Sequence, residues 1–134
     1  MTVGLDTSVV LRLLVGRPGD PAARAAACLD DLAQLGDEPV VSDLVVAETY
    51  VARQHHYGVS KAEALSARRH LFEDGEIAPH GAAAEVLATP ELASAKPGFL
   101  DRLIHRADVS GGLRRMVTFE RAASRLGSVV VLGP

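Results

Sequence analysis

The sequence predicts an α/β protein whose mostly parallel sheet is covered by helices on both faces. Short apolar segments alternate along the chain with longer helical stretches, which is the pattern of βαβ units. Parallel strands joined by crossover helices form sheets that are buried on both sides. The chain has 134 residues, of which 48% are hydrophobic. That length predicts one domain, residues 1–134, with a core of its own.

Five short apolar segments are predicted to be strands, since each is bounded by residues typical of turns or helix starts. Helices fill the intervals between most of them. In chain order the predicted strands are Thr2–Leu5, Val40–Val41, Glu76–Ala78, Met116–Thr118 and Val129–Leu132.

Capping and breaking residues mark the ends of the predicted helices. Asp20 precedes Pro21, which indicates an N-cap followed by proline at the first helical position. Ser60 and Glu63 have the spacing of a capping box, and Pro90 predicts a break. Ser42 or Asp43 is predicted to cap the helix that follows the second strand. The predicted helices run from 7 or 8 to 15, from 21 to about 36, from 44 to about 57, from 60 to about 73, from 81 to 93, from 99 to about 109 and from 120 to 126, with loops at 16–19 and 94–98.

Composition limits the class of protein only loosely. The formal net charge is −3, and the basic residues are 12 Arg and 2 Lys. The single cysteine, Cys28, cannot form an intrachain disulfide, which fits a reducing cytosol. The apolar run from Val9 to Val15 is interrupted by Arg12 and is far shorter than a membrane span. We therefore expect a soluble cytoplasmic protein that does not associate with membranes.

Four carboxylates lie beside or just past apolar segments, where a solvated acid is not expected. Asp6 closes the first predicted strand, and Glu120 lies two residues past the fourth. Glu48 lies in the second turn of the helix that follows the second strand, and Asp101 lies in the first turn of its helix. Ligands of open α/β sheets bind beyond the carboxyl ends of strands. Three of these four acids are therefore expected near one edge of the sheet.

Helical phase predicts that Glu48 faces inward or lies along the boundary of its helix. At 100° per residue, Leu44, Ala47 and Val51 form one apolar stripe, and Glu48 lies within roughly 70° of its centre. Asp101 lies at the flank of the apolar stripe of its own helix. That second stripe comprises Leu100, Leu103, Ile104 and Ala107.

Carboxylates that converge on one point favour a bound cation. Ionised together they would raise one another's pKa values unless positive charge intervened. Ligand sets made only of oxygen suit Mg²⁺ or Mn²⁺. One or two such ions can lower the pKa of a bound water and stabilise the attacking and leaving oxygens of a phosphodiester. The four acids therefore indicate the chemistry of a metal-dependent nuclease.

Four segments resemble, in order and spacing, the motifs of PIN-domain ribonucleases, and most closely the VapC-type toxins of toxin–antitoxin pairs. They are LDTSVV at 5–10, SDLVVAE at 42–48, FLDRLI at 99–104 and VTFER at 117–121. The resemblance covers essentially the whole chain. It implies a three-layer α/β/α sandwich, Mg²⁺-dependent cleavage of RNA with Mn²⁺ as a substitute, a cognate antitoxin protein that blocks the groove, and homodimers.

The resemblance also assigns roles to individual residues. Asp6, Glu48 and Asp101 match the first three acids of the family. The fourth position is usually Asp and is Glu120 here, which keeps the charge but adds a methylene. Thr118 matches a position that often supports the site by hydrogen bonding.

Thr7, Arg102, Arg106 and Thr118 are the candidate contacts to the RNA substrate. Three of them also have an ordinary interpretation, since Thr7 can cap a helix and the two arginines can lie on a solvated surface. The sequence has no Trp, two Tyr and three Phe, so an extended platform for base stacking is not expected.

Three other functions compete with the nuclease. A PIN-like module that binds RNA or a partner without cleavage is favoured by Glu120. A phosphoryl-accepting receiver would need paired acids after the first strand and a lysine after the last, whereas the only lysines are Lys61 and Lys96. An aspartyl phosphatase would need Asp-x-Asp, and position 8 is Ser8. Taken singly, each acid could also be a turn or capping residue.

Overall fold

The chain folds into a mixed α/β structure, as the sequence predicts. The computed structural model describes residues 1–15, 19–56 and 58–133. The predicted helix break at residues 16–18 and the predicted helix end at Tyr57 lie outside these ranges. The strands are β1 (Thr2–Gly4), β2 (Glu38–Ser42), β3 (Ala78–His80), β4 (Met116–Thr118) and β5 (Val129–Val131); the helices are α1 (Thr7–Val15), α2 (Asp20–Leu35), α3 (Asp43–His56), α4 (Lys61–Glu73), α5 (Ala83–Leu87) and α6 (Phe99–Ser110), and a 3-10 helix covers Arg121–Leu126.

The chain divides into two compact units, Met1–His80 and Gly81–Pro134. The expectation of one domain over residues 1–134 stays a prediction.

The first unit contains a parallel sheet with the order β1-β2-β3. The backbone N–H of Leu5 donates to the carbonyl of Val40 at 2.9 Å, one residue past the end of β1. Helices α2 and α3 pack on β2, and α1 packs on α2 and α3. The core of this unit includes Leu5, Val10, Val41, Val46 and, from α4, Leu65, all nearly inaccessible to solvent.

The second unit contains the parallel pair β4–β5. Helix α6 contacts α5 and the 3-10 helix, and the 3-10 helix packs against β5. Its core is built from Leu87, Leu92, Phe99, Leu103 and Ala123. The predicted parallel pairing is therefore present in both units.

Local capping signals predicted several boundaries correctly. Ser60 is the N-cap of α4: its side chain accepts from the backbone N–H of Glu63 at 3.2 Å and donates to the Glu63 carboxylate at 3.1 Å. Helix α2 ends at Gly36, whose φ of 75° is the left-handed conformation that glycine adopts without strain.

Helix α2 begins one residue earlier than predicted. Asp20 is its first helical residue rather than its N-cap, and the N-cap is Gly19. The carbonyl of Gly19 accepts from the N–H of Ala23 at 3.1 Å, and Gly19 reaches its φ of 148° because it lacks a Cβ.

Two predicted elements of the middle region were misplaced. The strand predicted at Glu76–Ala78 is observed at Ala78–His80, since the Asp74 carboxylate accepts from the N–H of Glu76 at 2.9 Å and holds that segment in a turn. The helix predicted over residues 81–93 spans only Ala83–Leu87, because short turns follow it.

Candidate functional site

Asp6 lies at the junction between β1 and α1. Its backbone carbonyl accepts from the N–H groups of Val9 and Val10, both at 3.1 Å, so that the helix begins directly after it. The carboxylate is exposed, and its Oδ2 accepts from the Ser8 hydroxyl at 3.3 Å. A carboxylate in this position is favoured by the helix dipole and remains open to a ligand.

Strand register places Asp6 at the carboxyl edge of the first sheet. Gly4 pairs with Val40, so continuing the same register by two residues brings Asp6 level with Ser42. Ser42 in turn pairs with His80, the last residue of β3. The ends of three parallel strands therefore meet where ligands of α/β sheets bind.

Helix α3 starts at this same edge and carries Glu48. The side chain of Ser42 accepts from the N–H of Val45 at 3.4 Å, which makes Ser42 the cap that the sequence suggested as one of two candidates. Glu48 lies in the second turn, roughly 8 Å along the helix axis from its start. Asp43 follows β2 as Asp6 follows β1, and sequence reasoning considered it only as a cap. The signal that could have found it is an acid directly after a strand.

The predicted orientation of Glu48 was wrong. Leu44 is 83% exposed and Val51 is 37% exposed, so the predicted apolar stripe does not face the core, and Glu48 itself is exposed. The contacts of α3 with β2, α1 and α4 select a different face of the helix. The buried residues of that face are Val46, Thr49 and Tyr50.

Asp101 occupies the first turn of α6 and is half-buried. The N-cap is Gly98, which has no capping side chain, and its carbonyl accepts from the N–H of Arg102 at 3.1 Å. An acid in the first turn stabilises such a helix through the dipole.

The apolar stripe predicted for α6 was only partly correct. Leu103 is buried, but Ile104 is 54% exposed and Ala107 is exposed. The buried residues of this helix are Phe99, Leu103 and His105.

His105 lies on α6 and is buried. Its Nε2 lies 2.8 Å from the carbonyl oxygen of Gly127, 22 residues later. Because that carbonyl can only accept, Nε2 carries the proton in this contact. His105 therefore joins α6 to the end of the 3-10 helix.

Glu120 is the N-cap of the 3-10 helix. Its Oε1 accepts from the N–H of Ala122 at 3.2 Å, and its own N–H donates to the Thr118 hydroxyl at 3.0 Å. The Glu120 carboxylate therefore has a structural role, and the support of a functional site by Thr118 stays a prediction.

Two of the other candidate substrate contacts, Arg102 and Arg106, also have partners within the fold. The Nε of Arg102 donates to the carbonyl of Pro97 at 2.7 Å. Arg106 forms an ion pair with Glu85 at 2.6 Å. Thr7 is the first residue of α1 and is half-buried.

The structure distributes the four acids between the two units, with Asp6 and Glu48 in the first and Asp101 and Glu120 in the second. None of them forms an ion pair with another described residue. In the part of the chain that the structure describes, no three His, Cys, Asp or Glu side chains are grouped to hold a metal ion. The metal site stays a prediction.

A charged residue that sequence reasoning missed lies between α3 and α4. Arg68 is fully buried, its Nη1 donates to the carbonyl of Ala64 at 3.2 Å, and its Nε and Nη2 have no partner. Burial, with a smaller contribution from the charge of Arg53, lowers the pKa of Arg68 to about 10. Burial also raises the pKa of Tyr50, although the charge of Arg68 and a hydrogen bond with Gln54 oppose this shift.

The fold and these positions define a mixed α/β protein with acidic residues at the ends of parallel strands. No protein-family model, curated protein or solved structure matched the chain. Within residues 1–15, 19–56 and 58–133, no helix combines the length and apolarity that a membrane crossing requires.

Proposed function

We propose that this chain is a Mg²⁺-dependent endoribonuclease that acts as the toxin of a toxin–antitoxin pair. The observation that carries the proposal is the position of Asp6 at the carboxyl end of β1, level with the end of β2, from which α3 extends toward Glu48. Asp101 and Glu120 complete the proposed set of metal ligands. In this proposal the fold is a PIN-like three-layer α/β/α sandwich.

The chemistry of these residues fits Mg²⁺, with Mn²⁺ as a substitute. Their donors are carboxylate oxygens, which both ions prefer, and no cation of the described residues neutralises them. When bound, Mg²⁺ supplies a lowered water pKa and offsets the charge that develops on the phosphodiester. Ser8 orients the Asp6 carboxylate through its hydroxyl, leaving the second carboxylate oxygen for the ligand.

The proposal includes the partners that the motifs imply. These are RNA as the substrate, a cognate antitoxin protein as the inhibitor and a second copy of the chain in a homodimer, in the cytoplasm. Neither a membrane nor a disulfide has a part in it.

A second candidate function is a PIN-like module that binds RNA or a protein partner without cleaving. The observation that favours it is the hydrogen bond between the Glu120 carboxylate and Ala122, because a carboxylate engaged as a helix cap has less freedom to coordinate an ion. An assay of RNA cleavage distinguishes the two functions.

The decisive experiment compares RNA cleavage by the purified chain and by three variants, Asp6→Asn, Glu48→Gln and Asp101→Asn, with Mg²⁺, Mn²⁺ or EDTA. We expect cleavage that EDTA abolishes and losses on the order of 100-fold in the variants, as when one electrostatic stabiliser is removed. Asp30→Asn, which removes an exposed carboxylate of α2, is the matched control and should retain activity. Equal cleavage by Asp6→Asn and the parent would refute the site.

A further inference from the structure

The second unit has a pocket whose lining is dominated by positive charge. Its volume is about 370 Å³, which lies in the lower part of the range typical of small-molecule sites. Three of the lining residues are cationic, Lys96, Arg102 and Arg125, and Glu91 is the acid among them. The lining therefore has a formal charge of +2.

Both arginines are held by the backbone of the segment that carries Lys96. The Nε of Arg102 donates to the carbonyl of Pro97 at 2.7 Å, and Nη1 of Arg125 donates to the carbonyl of Lys96 at 3.4 Å. A guanidinium has five N–H donors, so each arginine retains donors for a ligand. Anchoring of this kind reduces the side-chain entropy that a ligand must overcome.

The three cations have no ion-pair partner among the described residues. Glu91, which is one of those residues, is not within ion-pair distance of any of the three. Like charges that share a pocket repel one another, and an anion bound between them would relieve this repulsion.

The donors favour a phosphate over a carboxylate. Guanidinium groups bind phosphate oxygens in a bidentate manner, and a lysine adds a compact positive charge. A tetrahedral phosphate offers oxygens to three cations at once, whereas one guanidinium can satisfy a planar carboxylate. The lining contains no aromatic side chain on which a base could stack.

We propose that this pocket binds a phosphate group of a single-stranded RNA backbone through Lys96, Arg102 and Arg125. The identity of the ligand as RNA rests on the proposed function, but the binding itself requires neither metal nor cleavage. In this proposal Lys96 and Arg125 are substrate-binding residues in addition to Arg102. Of these three residues, the sequence motifs indicated only Arg102.

The test measures binding of a fluorescent single-stranded RNA by anisotropy in EDTA, between about 50 mM and about 200 mM salt. We expect Lys96→Gln and Arg125→Gln each to weaken binding by roughly 3- to 10-fold and to reduce the salt slope by about 0.7. Arg114→Gln is the matched control, because Arg114 is exposed in the same unit and does not line the pocket. Inorganic pyrophosphate should compete with the RNA for the parent protein.

Three results would overturn the inference. The first is unchanged RNA binding by both pocket variants. The second is an equal loss of RNA binding in Arg114→Gln, which would indicate a diffuse surface charge. The third is stronger competition by a polyglutamate peptide than by pyrophosphate, which would indicate an acidic protein partner. Cleavage is scored separately. Loss of RNA binding in the pocket variants of a chain that never cleaves would support the pocket while refuting the nuclease.

Discussion

The Oε1 of Glu120 accepts a hydrogen bond from the backbone N–H of Ala122 at 3.2 Å. Glu120, which is one methylene longer than the Asp expected at this position, therefore caps the 3-10 helix that follows it. Capping and metal binding both use a carboxylate oxygen, but only metal binding requires the charge. Substitutions at this position can separate the two roles.

Replacement of Glu120 by Ala should lower the free energy of unfolding by about 1 kcal/mol, the usual effect of removing an N-cap acceptor. Glu120→Gln keeps an acceptor oxygen and should stay within about 0.5 kcal/mol of the parent. Urea denaturation measures both. If the two variants lose equal stability, the capping hydrogen bond is not the stabilising contact.

The same Glu120→Gln variant should reduce RNA cleavage if Glu120 is a metal ligand, because the neutral amide is a poorer ligand for Mg²⁺. Glu120→Asp tests the alternative function. Strong metal-dependent cleavage that appears only in Glu120→Asp would identify the native chain as a binding module.

Metal binding should be measurable without RNA. Saturating Mg²⁺ or Mn²⁺ stabilises a protein that binds it only when folded, and we expect the melting temperature to rise by roughly 2–5 °C. Asp6→Asn and Glu48→Gln should show a smaller rise than the parent, and the control Asp30→Asn should match it. An identical rise in all four proteins would exclude Asp6 and Glu48 as ligands.

Arg68 is the buried charge whose replacement has the clearest expected effect. Since its Nε and Nη2 have no partner, Arg68→Met should raise the free energy of unfolding by about 1 kcal/mol. Arg68→Ala should lower it by roughly 2 kcal/mol, because truncation leaves a cavity between α3 and α4. Urea unfolding of the parent, Arg68→Met and Arg68→Ala at neutral pH measures this order of stability. A less stable Arg68→Met would mean that the guanidinium stabilises the fold.

The pH dependence of Arg68 follows from its lowered pKa of about 10. Between this value and the higher pKa of an unfolded arginine, the unfolded state binds more protons, so stability rises with pH through this group. The advantage of Arg68→Met over the parent should therefore shrink as the pH passes 10. The raised pKa of Tyr50 acts in the opposite direction, because stability that depends on the protonated phenol is lost as the pH rises. Denaturation at pH 8 to about pH 11 of both proteins in a Tyr50→Phe background isolates the arginine, since the charge of Arg68 also affects the pKa of Tyr50.

Ser60 provides a test of the capping box of α4. Ser60→Ala removes the acceptor for the N–H of Glu63 and should lower the free energy of unfolding by about 1 kcal/mol. Ser66→Ala, an interior position of the same helix, is the control and should change it by less than about 0.5 kcal/mol. Thermal denaturation of both variants is sufficient. Equal losses would show that the cap does not limit the stability of this helix.

Features that depend on a few neighbouring residues could be predicted from the sequence. The spacing of Ser60 and Glu63 and the glycine at 36 determine helix ends through hydrogen bonds within one turn. The bounds of β4 were predicted to the residue, because a short apolar run lies between a helix that ends at Gly111 and one that begins after Glu120. The alternation of strands and helices likewise indicated parallel pairing.

Features that depend on packing partners could not be predicted. Both Leu44 and Ile104 fit an apolar stripe by periodicity, yet both are exposed, because the neighbouring elements bury another face of each helix. The burial of His105 and Arg68 left no local signal, since each contacts partners that only the fold brings near.

By itself, the sequence determined the α/β class, most helix and strand positions and the identity of four acids near strand or helix ends, since these follow from local hydrogen bonding and hydrophobic periodicity. Only the tertiary structure decided which helix faces are buried and that Lys96, Arg102 and Arg125 line one pocket. The physical reason is that burial and charge clustering depend on contacts between residues that are distant in the chain. Hydrophobic periodicity does not specify which of these residues come together.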